Sequence, residues 1–313
     1  MRKKSGYIKL EHQNPGHANI FIVNWMAGNT CNYSCSYCPG YLHNASSPWL
    51  SYNTAIDFCT KIISHYTTKK IVFEFTGGEI TMWPDFIKVA RYLHEHDVDV
   101  SILSNGSRTL RWWEEAVPFL KRVHLSFHPE ETDQEHFERI LTFLQDNVSL
   151  HINMMMLPES FDACNNMAIH LEKKYSITVS KQPLVVNLNG PIYNYTKEQL
   201  QILSYSSTIE TRQINYRSEM VKVFSDAKKE KHSCNHFISS FENNWNNWLC
   251  YAGIEQLVVT KEGDIYRGWC TSGGKTGNIY QQHIAFPTLP IQCDKHICSC
   301  NFDIMCTKIK YKK

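Results

Sequence analysis

From residue 19 to about residue 190 the chain alternates short β-rich runs with amphipathic stretches of helical length. That rhythm leaves few architectures, because parallel strands need long crossovers and each crossover helix must pack back on the sheet. Strands are expected at Asn19-Ile-Phe-Ile-Val, Lys70-Ile-Val-Phe-Glu-Phe, Val98-Asp-Val-Ser-Ile-Leu, Val123-His-Leu-Ser-Phe, Leu150-His-Ile-Asn-Met-Met and Leu184-Val-Val-Asn-Leu. Helices are expected near 52–66, 84–96, 110–120, 132–146 and 160–174, where apolar residues recur at helical spacing, as in Phe86, Val89, Ala90 and Leu93. Such units give an α/β fold, either an open doubly wound sheet or a curved partial barrel, and periodicity does not separate the two. In both, ligands sit at the carboxyl ends of the strands, so residues just past each strand say most about function.

Beyond residue 190 the rhythm stops. A helix-like Lys197-Glu-Gln-Leu-Gln-Ile-Leu leads into a polar connector, and the remainder is rich in Cys, Asn and Trp. The expected organisation is an N-terminal extension (1–18), an α/β domain (19–190), a connector (191–232) and a small C-terminal domain (233–313). In the last, Gln256-Leu-Val-Val-Thr and Ile265-Tyr-Arg-Gly read as a hairpin turned at Gly263. With 32 basic and 30 acidic residues the formal charge is only +2, so no field favours nucleic acid. The N-terminus lacks an apolar signal-peptide core and no run of bilayer-spanning length exists, so a cytoplasmic protein without a membrane partner is expected.

Twelve cysteines in a reducing compartment point to metal ligation rather than disulfides. Cys59 and Cys164 stand alone in helical stretches and read as buried thiols. Cys31-Asn-Tyr-Ser-Cys35-Ser-Tyr-Cys38 follows the first expected strand on a loop, where three thiolates can converge. Three ligands on a four-iron cubane leave one iron without a protein bond, open to a substrate or cofactor. The rival is zinc. Cys35-x2-Cys38-x4-His43 matches three ligands of a zinc knuckle; Pro48 stands at the fourth position, which Cys31 would have to replace.

The C-x3-C-x2-C spacing on a loop after the first strand resembles the radical S-adenosylmethionine (SAM) superfamily, with Tyr37 as the aromatic before the third cysteine. Further strand ends extend the resemblance. Thr76-Gly77-Gly78-Glu79 resembles the segment that holds the SAM amino group, where glycines admit a close ligand and a carboxylate meets an ammonium. Ser104-Asn105-Gly106 is similar to the segment near the SAM ribose and carboxylate, and Ser126 falls where relatives contact the ribose. The resemblance implies a partial (β/α)6 barrel, a SAM-binding 4Fe-4S cluster on Cys31, Cys35 and Cys38, and an external flavodoxin- or ferredoxin-type electron donor. It implies reductive cleavage of SAM to a 5'-deoxyadenosyl radical that abstracts a substrate hydrogen.

Near the C-terminus, Cys250 and Cys270 flank the expected hairpin, and Cys293-x4-Cys298-x-Cys300-x5-Cys306 follows. This resembles the SPASM/Twitch extensions that carry an auxiliary 4Fe-4S cluster. Six rather than four residues separate Gly263 from Cys270, and the later spacing also departs, which favours the shorter Twitch type with one cluster. The resemblance implies ligands Cys250, Cys270 and two of Cys293, Cys298 and Cys300, with Cys234 and Cys306 as spectators. A structural zinc on the same residues is the alternative. Trp245, Trp248 and Trp269 read as packing of a small domain. Polar positions in register with Ser126, namely His128, Asn153 and Asn187, are the candidate substrate or proton-transfer residues. The expected substrate is a small polar metabolite, a sugar, nucleoside or amino acid derivative; a peptide is the alternative.

Overall fold

The computed structural model describes residues 6–188, 190–204 and 219–311. In chain order the elements are β1 (Tyr7–His12), β2 (Ile20–Met26), α1 (Tyr52–His65), β3 (Lys70–Thr76), α2 (Phe86–Glu95), β4 (Asp99–Ser104), α3 (Leu110–Ala116) and β5 (Arg122–Phe127). There follow α4 (Gln134–Gln145), β6 (Ser149–Met156), α5 (Phe161–Tyr175), β7 (Val179–Pro183), α6 (Lys197–Leu203), β8 (Met220–Phe224), β9 (Lys229–His232) and α7 (Cys234–Ser239). The last are β10 (Trp248–Cys250), β11 (Gln256–Val259), β12 (Asp264–Tyr266), β13 (Lys275–Asn278), β14 (Ile291–Gln292), α8 (Asn301–Ile304) and β15 (Lys308–Lys310).

Strands β2 to β7 pair in parallel and in sequential order. A doubly wound sheet reverses its order midway; an unbroken order with right-handed crossovers puts every helix on one face, the arrangement of a partial barrel. The helix stripes fit that face: Ala55, Phe58, Cys59 and Ile62 on α1, Phe86, Val89, Ala90 and Leu93 on α2, and Phe137, Ile140, Leu141 and Leu144 on α4 are buried. Cys59 and Cys164 belong to these stripes. Phe21, Val23, Trp25, Phe73, Phe75, Ile102, Leu125 and Ile152 meet them from the sheet in one core. Each such buried side chain contributes about 1.5–3 kcal/mol. Because strand side chains alternate, Asn24, Glu74, Ser101, His124, Ser126, His151 and Asn153 take the opposite, inner face, with Asn24 beside Glu74 and Ser126 beside Asn153 in register.

The sixth strand is Val179–Pro183, not the expected Leu184 to Leu188 run. As the edge strand with β6 as its neighbour in the sheet, β7 tolerates the polar Ser180, Lys181 and Gln182, which hid it from a search for apolar runs. Residues 186–188 instead form a 3-10 turn in which Asn187 has a left-handed backbone, φ 50°.

Segments that read as separate units share sheets. The C-terminal hairpin forms as expected, but β11 pairs in parallel with β2, extending the barrel sheet to the order β13-β12-β11-β2-β3-β4-β5-β6-β7. Its turn needs Gly263, at φ +80°, where a Cβ would sit 2.7 Å from Ile279 Cγ1. A second sheet has the order β14-β10-β15-β1-β8-β9, so the N-terminal strand lies between strands from the connector and from the far end of the chain. Part of the connector, 205–218, lies outside the described residues. Among the described residues no helix is long and apolar enough to cross a membrane.

Candidate functional site

The loop carrying Cys31, Cys35 and Cys38 leaves the end of β2 and is held from several sides. Asn29, fully buried, donates to Tyr41 O (2.9 Å), Asn44 Oδ1 (2.7 Å) and Ser46 Oγ (3.0 Å), which shapes the return of the loop. The turn after β3 packs against it so closely that glycine is required. A Cβ on Gly77 (φ +97°) would lie 2.6 Å from Gly28 O, and one on Gly78 (φ +49°) 2.2 Å from Thr30 O. Glu79 N donates to Thr30 O at 2.8 Å. From the segment after β5, Glu130 accepts from Ser36 N (2.7 Å) and Ser36 Oγ (2.6 Å), and Glu131 accepts from Ser34 N (3.1 Å). Asn32, between the first two cysteines, accepts from Asn105 Nδ2 at 3.1 Å. Asn32, Glu130 and Glu131 were not among the expected site residues. Glu-Glu directly after His128-Pro129, at a strand end, was the available signal.

The three thiols lie in a charge environment that asks for a cation. Burial pushes Cys35 up to about 12 and Cys38 up to about 11, and the neighbouring thiols push each further. Cys31 is raised by burial and by the nearby Glu79 and Glu131 carboxylates. Thiols so placed bind as thiolates only when a metal supplies the compensating charge. His43 Nε2 donates to Cys38 O at 3.2 Å.

Glu79 is buried. Its Oε1 accepts from Thr81 N (3.1 Å), Thr81 Oγ1 (2.7 Å) and Ser104 Oγ (2.8 Å), and its Oε2 accepts from Asn105 N at 2.7 Å. The carboxylate thus joins the loops after β3 and β4, and Oε2 keeps capacity for one more donor. Burial outweighs these hydrogen bonds and raises its pKa, so an ammonium beside it would be strongly attracted in the ionised form. Ser104 Oγ also accepts from Gly106 N (3.0 Å), and Asn105 Oδ1 from Ser107 N (3.0 Å). Ser126 is half-buried on the inner face.

His128 sits against the cysteine loop: its Nδ1 is 2.8 Å from Tyr37 Oη and 3.5 Å from Cys35 Sγ. Burial lowers the imidazole to about 4 and raises the Tyr37 phenol, so the neutral ring accepts the Tyr37 hydrogen. Asn153 accepts from Gln182 Nε2 (3.0 Å), and Gln182 Oε1 accepts from Asn301 Nδ2 (2.7 Å), a polar chain from the inner face to α8. Asn187, displaced beyond β7, is exposed. Two inner-face residues went unnoticed in the sequence: Asn24 donates to Glu74 Oε1 (2.9 Å) and accepts from Trp269 Nε1 (2.8 Å). A polar residue in mid-strand at matching positions of two otherwise apolar strands was the signal. Trp269 therefore reaches the barrel interior as well as packing the small domain.

In the C-terminal region Cys250, Cys270, Cys293 and Cys298 line one pocket with Asp303 and Lys308. Asp303 accepts from Cys270 N (2.7 Å) and Trp269 N (3.1 Å), and buried Lys308 donates to the carbonyls of Asp303, Ile304 and Cys306. A hydrogen bond from Cys306 brings Cys250 down to about 7 against the effect of burial, with help from Lys308. Burial raises Cys270, Cys293 and Cys298. Of the five candidate ligands Cys300 stands apart: it is the N-cap residue of α8 and packs against the inner-face cluster of Ile22, Val72, Val258 and Phe302. Cys306 touches Cys250 without lining the pocket.

Residues 25–163 match the sequence profile described as the Radical SAM superfamily. An S-adenosylmethionine-dependent nucleotide dehydratase of Fibrobacter sp. (strain UWH6) is 28% identical over 97 residues, 28% of this chain and 27% of that protein. A probable GTP 3',8-cyclase of Thermococcus kodakarensis is 30% identical over 106 residues, 31% of this chain and 32% of that protein. The chain thus spans about a third or less of the curated relatives it matches. The fold is similar to that of native anSMEcpe with bound AdoMet (TM-score 0.54, 17% identity, 83% of this chain and 78% of that one). It is similar also to Streptococcus suis SuiB bound to S-adenosylmethionine (TM-score 0.56, 12% identity, 83% and 64%). The segment that holds Cys31, Cys35, Cys38, the Gly77-Gly78-Glu79 turn and Ser126 is the part of the chain that matches the Radical SAM superfamily profile.

Proposed function

We propose that this protein is an enzyme that reductively cleaves SAM and uses the resulting radical to take a hydrogen from a small polar metabolite. The observation that carries the reading is three thiols on one loop, each raised by burial and by neighbouring negative groups, backed by a glycine turn that no larger residue could occupy. Cys31, Cys35 and Cys38 would hold a 4Fe-4S cluster. Glu79, with Ser104 and Asn105 beside it, would orient SAM by its amino and carboxylate ends, Tyr37 would bound the cluster side, and Ser126 would meet the ribose. When bound, the cluster and SAM supply a 5'-deoxyadenosyl radical after one electron from a flavodoxin- or ferredoxin-type donor.

The substrate class follows from the barrel interior. Asn24, Glu74, Asn153, Gln182 and Asn301 set neutral amides and one carboxylate there, with the Trp269 ring beside them. Such a lining suits a small molecule rich in hydroxyl or amide groups. The nucleotide chemistry in the names of both curated relatives favours the nucleoside members of that class. Cys250, Cys270, Cys293 and Cys298 would hold an auxiliary 4Fe-4S cluster, with Lys308 partly balancing its charge. Anaerobic reconstitution with iron and sulfide tests the reading. Dithionite and SAM should give methionine and 5'-deoxyadenosine by mass spectrometry, and alanine at Cys31, Cys35 or Cys38 should abolish both. A protein that takes up zinc in place of iron and cleaves no SAM would refute it.

A further inference from the structure

A second metal-binding arrangement lies outside the cysteine sites. His12 closes β1, His17 sits in the 3-10 turn Pro15–Asn19 that leads to β2, and Glu255 immediately precedes β11. One ligand atom from each lies within 4.8 Å of the other two. The two imidazoles are stacked, with ring centroids 3.4 Å apart and planes 8° from parallel, and His12 Nε2 is 3.3 Å from Glu255 Oε2. A tetrahedral ion with bonds of about 2.0–2.1 Å to nitrogen and oxygen spaces its donors about 3.3–3.4 Å apart. The separation of His12 Nε2 from Glu255 Oε2 is of that size; because an ion lies in the plane of each imidazole that binds it, one ring must swing out of the stack for His12 and His17 to share it.

The cluster is enclosed. The side chains of His12 and Glu255 are 5% and 13% exposed, and His17 is 3% exposed. His12 Nδ1, the ring nitrogen other than the one facing Glu255, is buried without a hydrogen-bond partner, an arrangement that native proteins seldom keep. The Glu255 carboxylate is fixed from behind by Thr307 N at 2.8 Å, the outer support that metal-binding carboxylates require.

We propose that His12, His17 and Glu255 bind a zinc ion, with water in the remaining position, and that this ion fastens the N-terminal strand of one sheet to β11 of the other. Two imidazoles and a carboxylate are a zinc donor set, distinct from the all-thiol sets of the cluster sites. The test uses the full chain, anaerobically reconstituted with iron and sulfide, given about one equivalent of zinc and desalted. It should retain zinc whose X-ray absorption fine structure shows nitrogen and oxygen at about 2.0–2.1 Å and no sulfur at about 2.3 Å. His17→Gln and Glu255→Gln should each bind zinc at least about tenfold more weakly with iron content unchanged. Wild-type protein that releases its zinc, or holds it with sulfur in the shell, overturns the proposal, as does a Glu255→Gln protein that binds as tightly as the wild type. If the variants also lose iron, the wild-type spectrum alone decides.

Discussion

Glu79→Gln separates the structural from the binding role of the most heavily hydrogen-bonded carboxylate in the site. The amide keeps one oxygen, and with that oxygen toward Thr81 and Ser104 the three bonds of Oε1 survive. The new NH2 then faces Asn105 N, whose 2.7 Å bond is lost. A buried donor left without a partner costs about 1–3 kcal/mol, so the thermal midpoint of the SAM-free protein should fall. Binding is affected separately. If the ammonium of SAM meets this carboxylate, removing the charge costs about 1.5–3 kcal/mol, or about 10- to 150-fold in Kd. Equilibrium dialysis of labelled SAM against reconstituted wild-type and variant protein reads the second effect, while iron content and thermal melting read the first. A variant that keeps its iron and binds SAM within about twofold of wild type would refute the assignment, leaving Glu79 as a joint between two loops and nothing more.

Alanine at Cys298 should remove about four of about eight irons per chain, whereas Cys300→Ala should leave iron content and the cluster absorption unchanged, because Cys300 packs toward the barrel interior. At the α4–α5 contact, burial pushes the Glu138 carboxyl up, but hydrogen bonds from Lys174, Gln134 and Tyr175 outweigh it and bring it down to about 2 from 4.5. A depressed carboxylate stabilises the fold above its unfolded value and loses that contribution as pH falls from 4.5 toward 2, so urea midpoints should drop across that window in wild type and less steeply in Glu138→Gln.

Features written locally were legible. The cysteine loop, the Gly77-Gly78-Glu79 turn and the hairpin at Gly263 each depend on a few adjacent residues whose chemistry or backbone freedom admits little else. Helix stripes on α1, α2 and α4 were legible for the same reason. Arrangements made by distant segments were not. Glu130 and Glu131 reach the cysteine loop across more than ninety residues of chain, and Trp269 reaches Asn24 across 245. No spacing rule relates such partners. The edge strand β7 was hidden by its polar residues, and Asn187 was misplaced with it. Cys300 was grouped with Cys298 by proximity in sequence, yet it opens α8, and the turn of the chain there sends the two thiols to different surroundings.

The pairing of β1 between β8 and β15 bears on how the polypeptide is made. β1 precedes both of its partners in the chain and acquires its first neighbour only after residue 220 and its second only after residue 308. Both of its hydrogen-bonding edges stay bare through most of translation, while the parallel α/β units behind it are already able to close. Deleting β15 should therefore do its damage at β1, some 300 residues earlier in the chain, leaving an adhesive ribbon that pairs with neighbouring chains and draws the product into inclusion bodies.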